Sequence, residues 1–128
     1  MAKSIRGATE TTRRILLADD EEMVRKAIRL ILRFSGYDIV EAVDGEDAVH
    51  KYVEASPPFD LVLIDLDMPR LNGAEALVRI RKHHPEAKAI LLTGGNHNVP
   101  LERIGFLQKP FDNQHLIGLV REALGTET

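Results

Sequence analysis

Leu61-Val62-Leu63-Ile64-Asp65-Leu66-Asp67-Met68-Pro69 decides how the rest of this 128-residue chain is read. Four apolar residues in a row end abruptly in an acid, a second acid follows two positions on, and Met-Pro ends any strand. A continuous Leu/Val/Ile run is the pattern of a strand buried on both faces, as in a parallel sheet covered by helices. An acid at the carboxyl end of such a strand stands where open α/β sheets place their chemistry. Asp65 is then either a nucleophile or a polar strand end, and the rest of the chain must decide which.

Working outward, the same pattern recurs. Ile15-Leu16-Leu17-Ala18 is a second apolar run that ends in acids, Asp19-Asp20-Glu21-Glu22. From Glu21 the period becomes helical, with Val24, Ala27, Ile28 and Ile31 in register and Leu30 and Phe34 widening the stripe. Asp20 is placed to cap this helix, Glu21 and Glu22 suit its positive end, and Gly36 stops it. Residues 37–41 read as a short strand, and Asp44-Gly45 opens a helix with Ala48, Val49 and Tyr52 inward. Past Pro69, Asn72-Gly73 leads into a helix with Ala76, Leu77 and Ile80 inward and Arg79, Arg81 and Lys82 outward. Ala89-Ile90-Leu91-Leu92 is a buried strand ending in Thr93-Gly94-Gly95. A last strand, 105–108, ends in Lys109-Pro110, and Asp112 caps a final helix built on Leu116, Val120 and Ala123. Arg25, Lys26 and Arg29 read as the solvated side of the first helix.

Strands alternating with helices imply a parallel sheet with helices on both faces. All parallel strands point their carboxyl ends one way, so Asp19, Asp20, Asp65, Thr93 and Lys109 are expected to meet at one sheet edge. Only twelve residues separate Thr93 from Phe106, and they include Gly94, Gly95 and Pro100. A mean helix takes about 11–12 residues. The helix expected there is therefore a single turn or absent.

Composition narrows the class. A length of 128 residues suits one domain, with 1–13 a loose polar tail, 14–124 the folded unit and 125–128 a short tail. A net charge of −3 lacks the basic footprint of a nucleic-acid binder. No apolar run reaches the roughly 18–20 residues that span a membrane, and the amino terminus has no hydrophobic signal core. Zero cysteines exclude disulfides, thiol catalysis and cysteine-based zinc sites. A cytoplasmic location fits these features.

Crowded carboxylates repel one another and push one pKa up unless a cation neutralises them. Hard oxygens suit Mg²⁺, which keeps waters that a phosphate can replace. Asp20 and Asp65 are the expected direct ligands, with Asp19 acting directly or through water. A phosphoryl group on Asp65 would then find an ammonium in Lys109 and a hydroxyl in Thr93. This is the positioning and charge neutralisation on which phosphoryl transfer depends. Gly94 leaves room for the group and for a water.

Four stretches in this order carry a resemblance: Ile15-Leu16-Leu17-Ala18-Asp19-Asp20-Glu21, Leu61 to Pro69, Leu92-Thr93-Gly94 and Lys109-Pro110-Phe111. The chain resembles a response-regulator receiver domain of two-component signalling, close in plan to single-domain chemotaxis regulators. The resemblance implies a flavodoxin-like, doubly wound five-stranded parallel sheet of order 2-1-3-4-5. It implies Asp65 as the phosphoacceptor and Mg²⁺ held by Asp19, Asp20, Asp65 and the main-chain carbonyl of Asp67. Thr93 and Lys109 would contact the phosphoryl group, and Thr93 with Phe106 would form the switch. Lys109-Pro110 would be cis. The donor would be a sensor histidine kinase or a phosphotransfer protein, with neither nucleic acid nor membrane a direct partner. A receiver catalyses its own phosphorylation and dephosphorylation without being a conventional enzyme.

Other classes fit less well. Asp65-Leu66-Asp67 also suits a small haloacid-dehalogenase-type Mg²⁺-dependent phosphatase with Asp65 as nucleophile. Met68-Pro69 and the position of Asp19-Asp20 ahead of the nucleophile strand count against it. A flavin binder would need a phosphate-cradling loop where four acids stand. The five histidines show no ligand spacing.

Overall fold

The computed structural model describes residues 12–95 and 98–125. The chain runs β1 (Arg14–Ala18), α1 (Glu22–Phe34), β2 (Asp38–Ala42), α2 (Gly45–Glu54), β3 (Leu61–Asp65), α3 (Gly73–His83), β4 (Ala89–Thr93), β5 (Ile104–Gln108) and α4 (Asn113–Leu124). The expected tails fall mostly on residues 1–11 and 126–128, outside the described residues. The strands form one parallel sheet in the order β2-β1-β3-β4-β5.

β3 lies at the centre and every residue in it is buried. Its alternation feeds two cores. Val62 and Ile64 pack with Ala48, Tyr52, Leu77 and Ile80 on the α2/α3 side. Leu61 and Leu63 pack with Ile28, Leu32, Leu116 and Val120 on the α1/α4 side. This explains the unbroken apolar run, because successive side chains of a strand point to opposite faces and both faces are covered.

Local start signals act largely as expected. Asp44 accepts the Asp47 N–H, Asp112 accepts the His115 N–H, and Asn72 forms a reciprocal capping box with Glu75. Gly36, with φ +99°, takes the left-handed position just past α1. Lys109-Pro110 is cis, as is Ser56-Pro57.

α1 departs from its expected reading. Leu30 is 69 % exposed and Phe34 94 %, so neither widens the inward stripe. Ile28 faces the core as expected, with Leu32 and with Arg25, which is buried rather than solvated, whereas Ala27, expected inward, is exposed. Asp20 does not cap the helix. Glu21 holds the N-cap position without a side-chain bond, and the Glu21 N–H goes to Asp19 Oδ1 at 2.8 Å.

Between β4 and β5 no helix occurs among the described residues. Val99 and Leu101 of this short connection pack against the α2/α3-side core. Its far end is fastened by an arginine expected to face solvent: Arg81 Nη2 donates to the carbonyls of Ala87 (2.7 Å) and Arg103 (3.1 Å). Arg103, in a left-handed conformation at φ +56°, returns its own guanidinium to the Pro85 carbonyl.

Candidate functional site

The carboxyl ends of β1, β3, β4 and β5 lie along one edge of the sheet, and the expected residues gather there. Asp19, Asp20 and Asp65 each bring a carboxylate oxygen within 4.8 Å of the others. Asp19 is fully buried and Asp65 nearly so, whereas Asp20 is exposed. Lys109 arrives from the end of β5, its backbone N–H bonded to the Thr93 carbonyl at 2.7 Å. Its ammonium lies 3.2 Å from Asp19 Oδ2, 3.4 Å from Asp65 Oδ2 and 3.5 Å from Glu21 Oε1. Glu21, read from sequence only as a partner of the helix dipole, thus belongs to the rim of the site.

Charge in the cluster is unbalanced. The Lys109 ammonium meets three carboxylates (Asp19, Glu21 and Asp65), and Asp20 brings a fourth beside Asp19 and Asp65. Burial raises the Asp65 pKa. The Asp67 N–H, 3.0 Å from Asp65 Oδ1, pulls it down, Asp19 pushes it up again, and Lys109 lowers it, with a net rise. Burial draws the Lys109 ammonium down, but Asp19 and Asp65 outweigh that and leave it above its ordinary value. A compact divalent cation among Asp19, Asp20 and Asp65 would relieve the excess negative charge. An all-oxygen donor set with one exposed member matches an ion that keeps part of its water. The residues present therefore fit such a cation.

Thr93 is buried at the end of β4, but its hydroxyl is turned onto its own loop. It lies 3.2 Å from both the carbonyl oxygen and the amide nitrogen of Gly95. To donate to a group on Asp65 the hydroxyl must give up its bond to the Gly95 carbonyl, since it has a single proton. Asp67 is exposed, and its Oδ2 accepts the Gly94 N–H at 3.4 Å, bridging the loops after β3 and β4. Phe106 is half-buried on β5, opposite Leu91 of β4, and packs on the α2/α3-side core. Neighbouring glycines shape the edge. A Cβ on Gly73 would stand 2.6 Å from the Asp65 carbonyl oxygen, whereas nothing lies within 4 Å of one on Gly94.

Sequence reasoning missed Arg25. Its Nη1 donates to the Asp19 main-chain carbonyl at 2.8 Å, and its Nε to Glu41 Oε1 on β2 at 2.7 Å. The spacing of Arg25 with Ile28 and Leu32 was the available signal, since it puts all three on one helical face.

The sequence profile described as "Response regulator receiver domain" matches residues 15–121. The chemotaxis protein CheY of Thermotoga maritima is 34 % identical over 112 residues, covering 82 % of this chain and 92 % of that protein. The sensor kinase CckA of Brucella abortus is 34 % identical over 116 residues, covering 86 % of this chain and 12 % of the kinase. Among solved structures, the CheX–CheY–BeF3–Mg complex of Borrelia burgdorferi gives a TM-score of 0.83 at 26 % identity, covering 92 % of this chain and 93 % of that one.

Proposed function

Because the chain belongs to the response regulator receiver domain family, we propose that Asp65 is the residue on which it accepts a phosphoryl group. Receivers of this family act as phosphoacceptors in two-component signalling and pair with histidine kinases. That family membership displaces the phosphatase alternative. The observation that carries the assignment to Asp65 is its setting: a nearly buried carboxylate between two further acids and a lysine, at the end of the central strand.

The donor is a phosphohistidine on a kinase or phosphotransfer protein. A carboxylate oxygen of Asp65 forms the new O–P bond as the N–P bond breaks, and the imidazole nitrogen keeps the electron pair and takes up a proton. Asp19, Asp20 and Asp65, with the Asp67 main-chain carbonyl, would hold Mg²⁺. Mg²⁺ supplies charge neutralisation for the phosphoryl oxygens. Lys109, already within reach of Asp65, pairs with the incoming negative charge. The Thr93 hydroxyl exchanges its Gly95 contacts for the phosphoryl group, and Phe106 on the adjoining strand follows it; this pair is the conformational switch. Hydrolysis of the acyl phosphate by water returns Asp65 to its free form.

Intact mass after incubation with acetyl phosphate and Mg²⁺ tests the assignment. The parent should gain one phosphoryl group and Asp65→Asn none; an undiminished adduct in the variant would reject Asp65. Repeated turnover of a phosphate monoester by the parent would instead revive the phosphatase reading.

A further inference from the structure

Arg25 points its charged head into the protein, and the whole residue is 9 % exposed. It occupies a core-facing position of α1, in line with fully buried Ile28 and Leu32, where an aliphatic side chain would be the ordinary solution. Removing a guanidinium from water is costly unless its donors are paired. Arg25 pairs two of them, one on β2 and one just past the end of β1. Glu41 Oε1 on β2 takes Nε, and the Asp19 carbonyl at the end of β1 takes Nη1. Glu41 is itself braced, with Arg29 3.1 Å from its other oxygen and Lys51 donating to its main-chain carbonyl at 2.7 Å.

The target of this brace is the acid whose placement the site needs most. Asp19 is fully buried, and each of its polar atoms is engaged. Its N–H donates to the Ala42 carbonyl at 3.3 Å, its carbonyl accepts from Arg25, Oδ1 accepts the Glu21 N–H and Oδ2 accepts from Lys109. The first two bonds fix the backbone from which the carboxylate projects. Groups that orient a ligand without touching the metal typically matter tenfold or more to affinity.

We propose that Arg25, braced by Glu41, is a positioning residue for divalent-cation binding: by gripping the Asp19 main chain it aims that carboxylate at Asp20 and Asp65. The inference rests on reading the acidic cluster as a cation site.

Two full-chain variants, Arg25→Met and Arg25→Lys, test it. Mg²⁺ is titrated against amide chemical shifts in the absence of any phosphodonor, and urea stability is measured in EDTA. Arg25→Met keeps an apolar stem in the core, and replacing a buried charge this way need not weaken the fold. Both variants should remain folded and bind Mg²⁺ about tenfold or more weakly than the parent. Lys fails to rescue because one ammonium cannot reproduce the two-pronged guanidinium fork. Parent-like Mg²⁺ affinity in either variant overturns the proposal. If Arg25→Met does not fold, the Lys variant with Glu41→Gln decides, since Glu41→Gln loosens the brace and should weaken Mg²⁺ binding while leaving Arg25 in place. A parent that binds no Mg²⁺, or binds it undiminished as Asp20→Asn, brings down the cation reading itself. Loss of the Arg25 effect alone leaves that reading standing.

Discussion

Asp65 is held by opposing influences, and their balance predicts a pH effect. Burial chiefly, and Asp19 in addition, raise its pKa; the Asp67 N–H and Lys109 do not fully restore it. The folded chain therefore binds the Asp65 proton more tightly than the unfolded chain does. Without a divalent cation, the resulting stabilisation is fully present below the ordinary value of 3.8 and is lost as pH rises through the raised folded value. Asp65→Asn cannot ionise, so in EDTA its stability should exceed that of the parent near neutral pH, with the advantage shrinking toward acid. Urea midpoints from about pH 4 to 7 check this; a constant difference across the range would contradict it. Glu41 behaves in the opposite sense. Its bond with Arg25 is the main reason its pKa is lowered, so it stabilises the fold above its ordinary 4.5 and loses that contribution as pH falls through its lowered value. Glu41→Gln should remove this part of the acid-induced loss of stability. At this scale Asp19, Asp20, Asp65 and Lys109 were legible in the sequence because each ends an apolar run. The turn of Thr93 onto Gly95 and the reach of Asp67 to Gly94 were not, because side-chain rotation leaves no trace in spacing.

Among the elements, α1 shows why hydrophobic period alone can mislead. It carries two apolar stripes, one inward through Ile28 and Leu32 and one outward through Met23, Leu30 and Phe34. Counting apolar residues cannot choose between them, and the charge that marks the inward face, Arg25, looks like a reason to assign that face to water. α3 was easier to read, because Asn72-Gly73 announces its start; the structure adds Glu75 as the other half of the capping box. That glycine also packs the first turn of α3 against the Asp65 carbonyl, at 2.6 Å from a would-be Cβ. Gly73→Ala must therefore move either α3 or the end of β3. We expect a loss of about 1–3 kcal/mol, the usual range for overpacking, together with slower labelling by acetyl phosphate. Urea titration and intact-mass time courses measure the two effects. An unchanged labelling rate would show that the strain is absorbed in α3 alone.

For the whole molecule, the alternation of β3 couples two cores through one strand. Leu63, fully buried on the α1/α4 side, should cost about 2–5 kcal/mol when cut to alanine. Ile64, facing α2 and α3, should fall in the same range, and urea titration of each variant checks it. The sheet order and the absence of a helix between β4 and β5 among the described residues were both readable from the chain, the first through family resemblance and the second through the shortness of the interval. The clasp of Arg81 and Arg103 that secures this connection was not, since it joins carbonyls that any sequence would offer. One bond has a wider meaning. Lys109 and Asp19 meet across 90 residues of chain, and Lys109 and Asp65 across 44. Closing such long loops is entropically unfavourable until the intervening strands have docked. A half-folded chain thus carries Asp65, the acceptor proposed above, without its ammonium. On the proposed role of Asp65, competence to receive a phosphoryl group arises only when β1, β3 and β5 are all in place, so the ion pairs of Lys109 also report that the sheet has assembled.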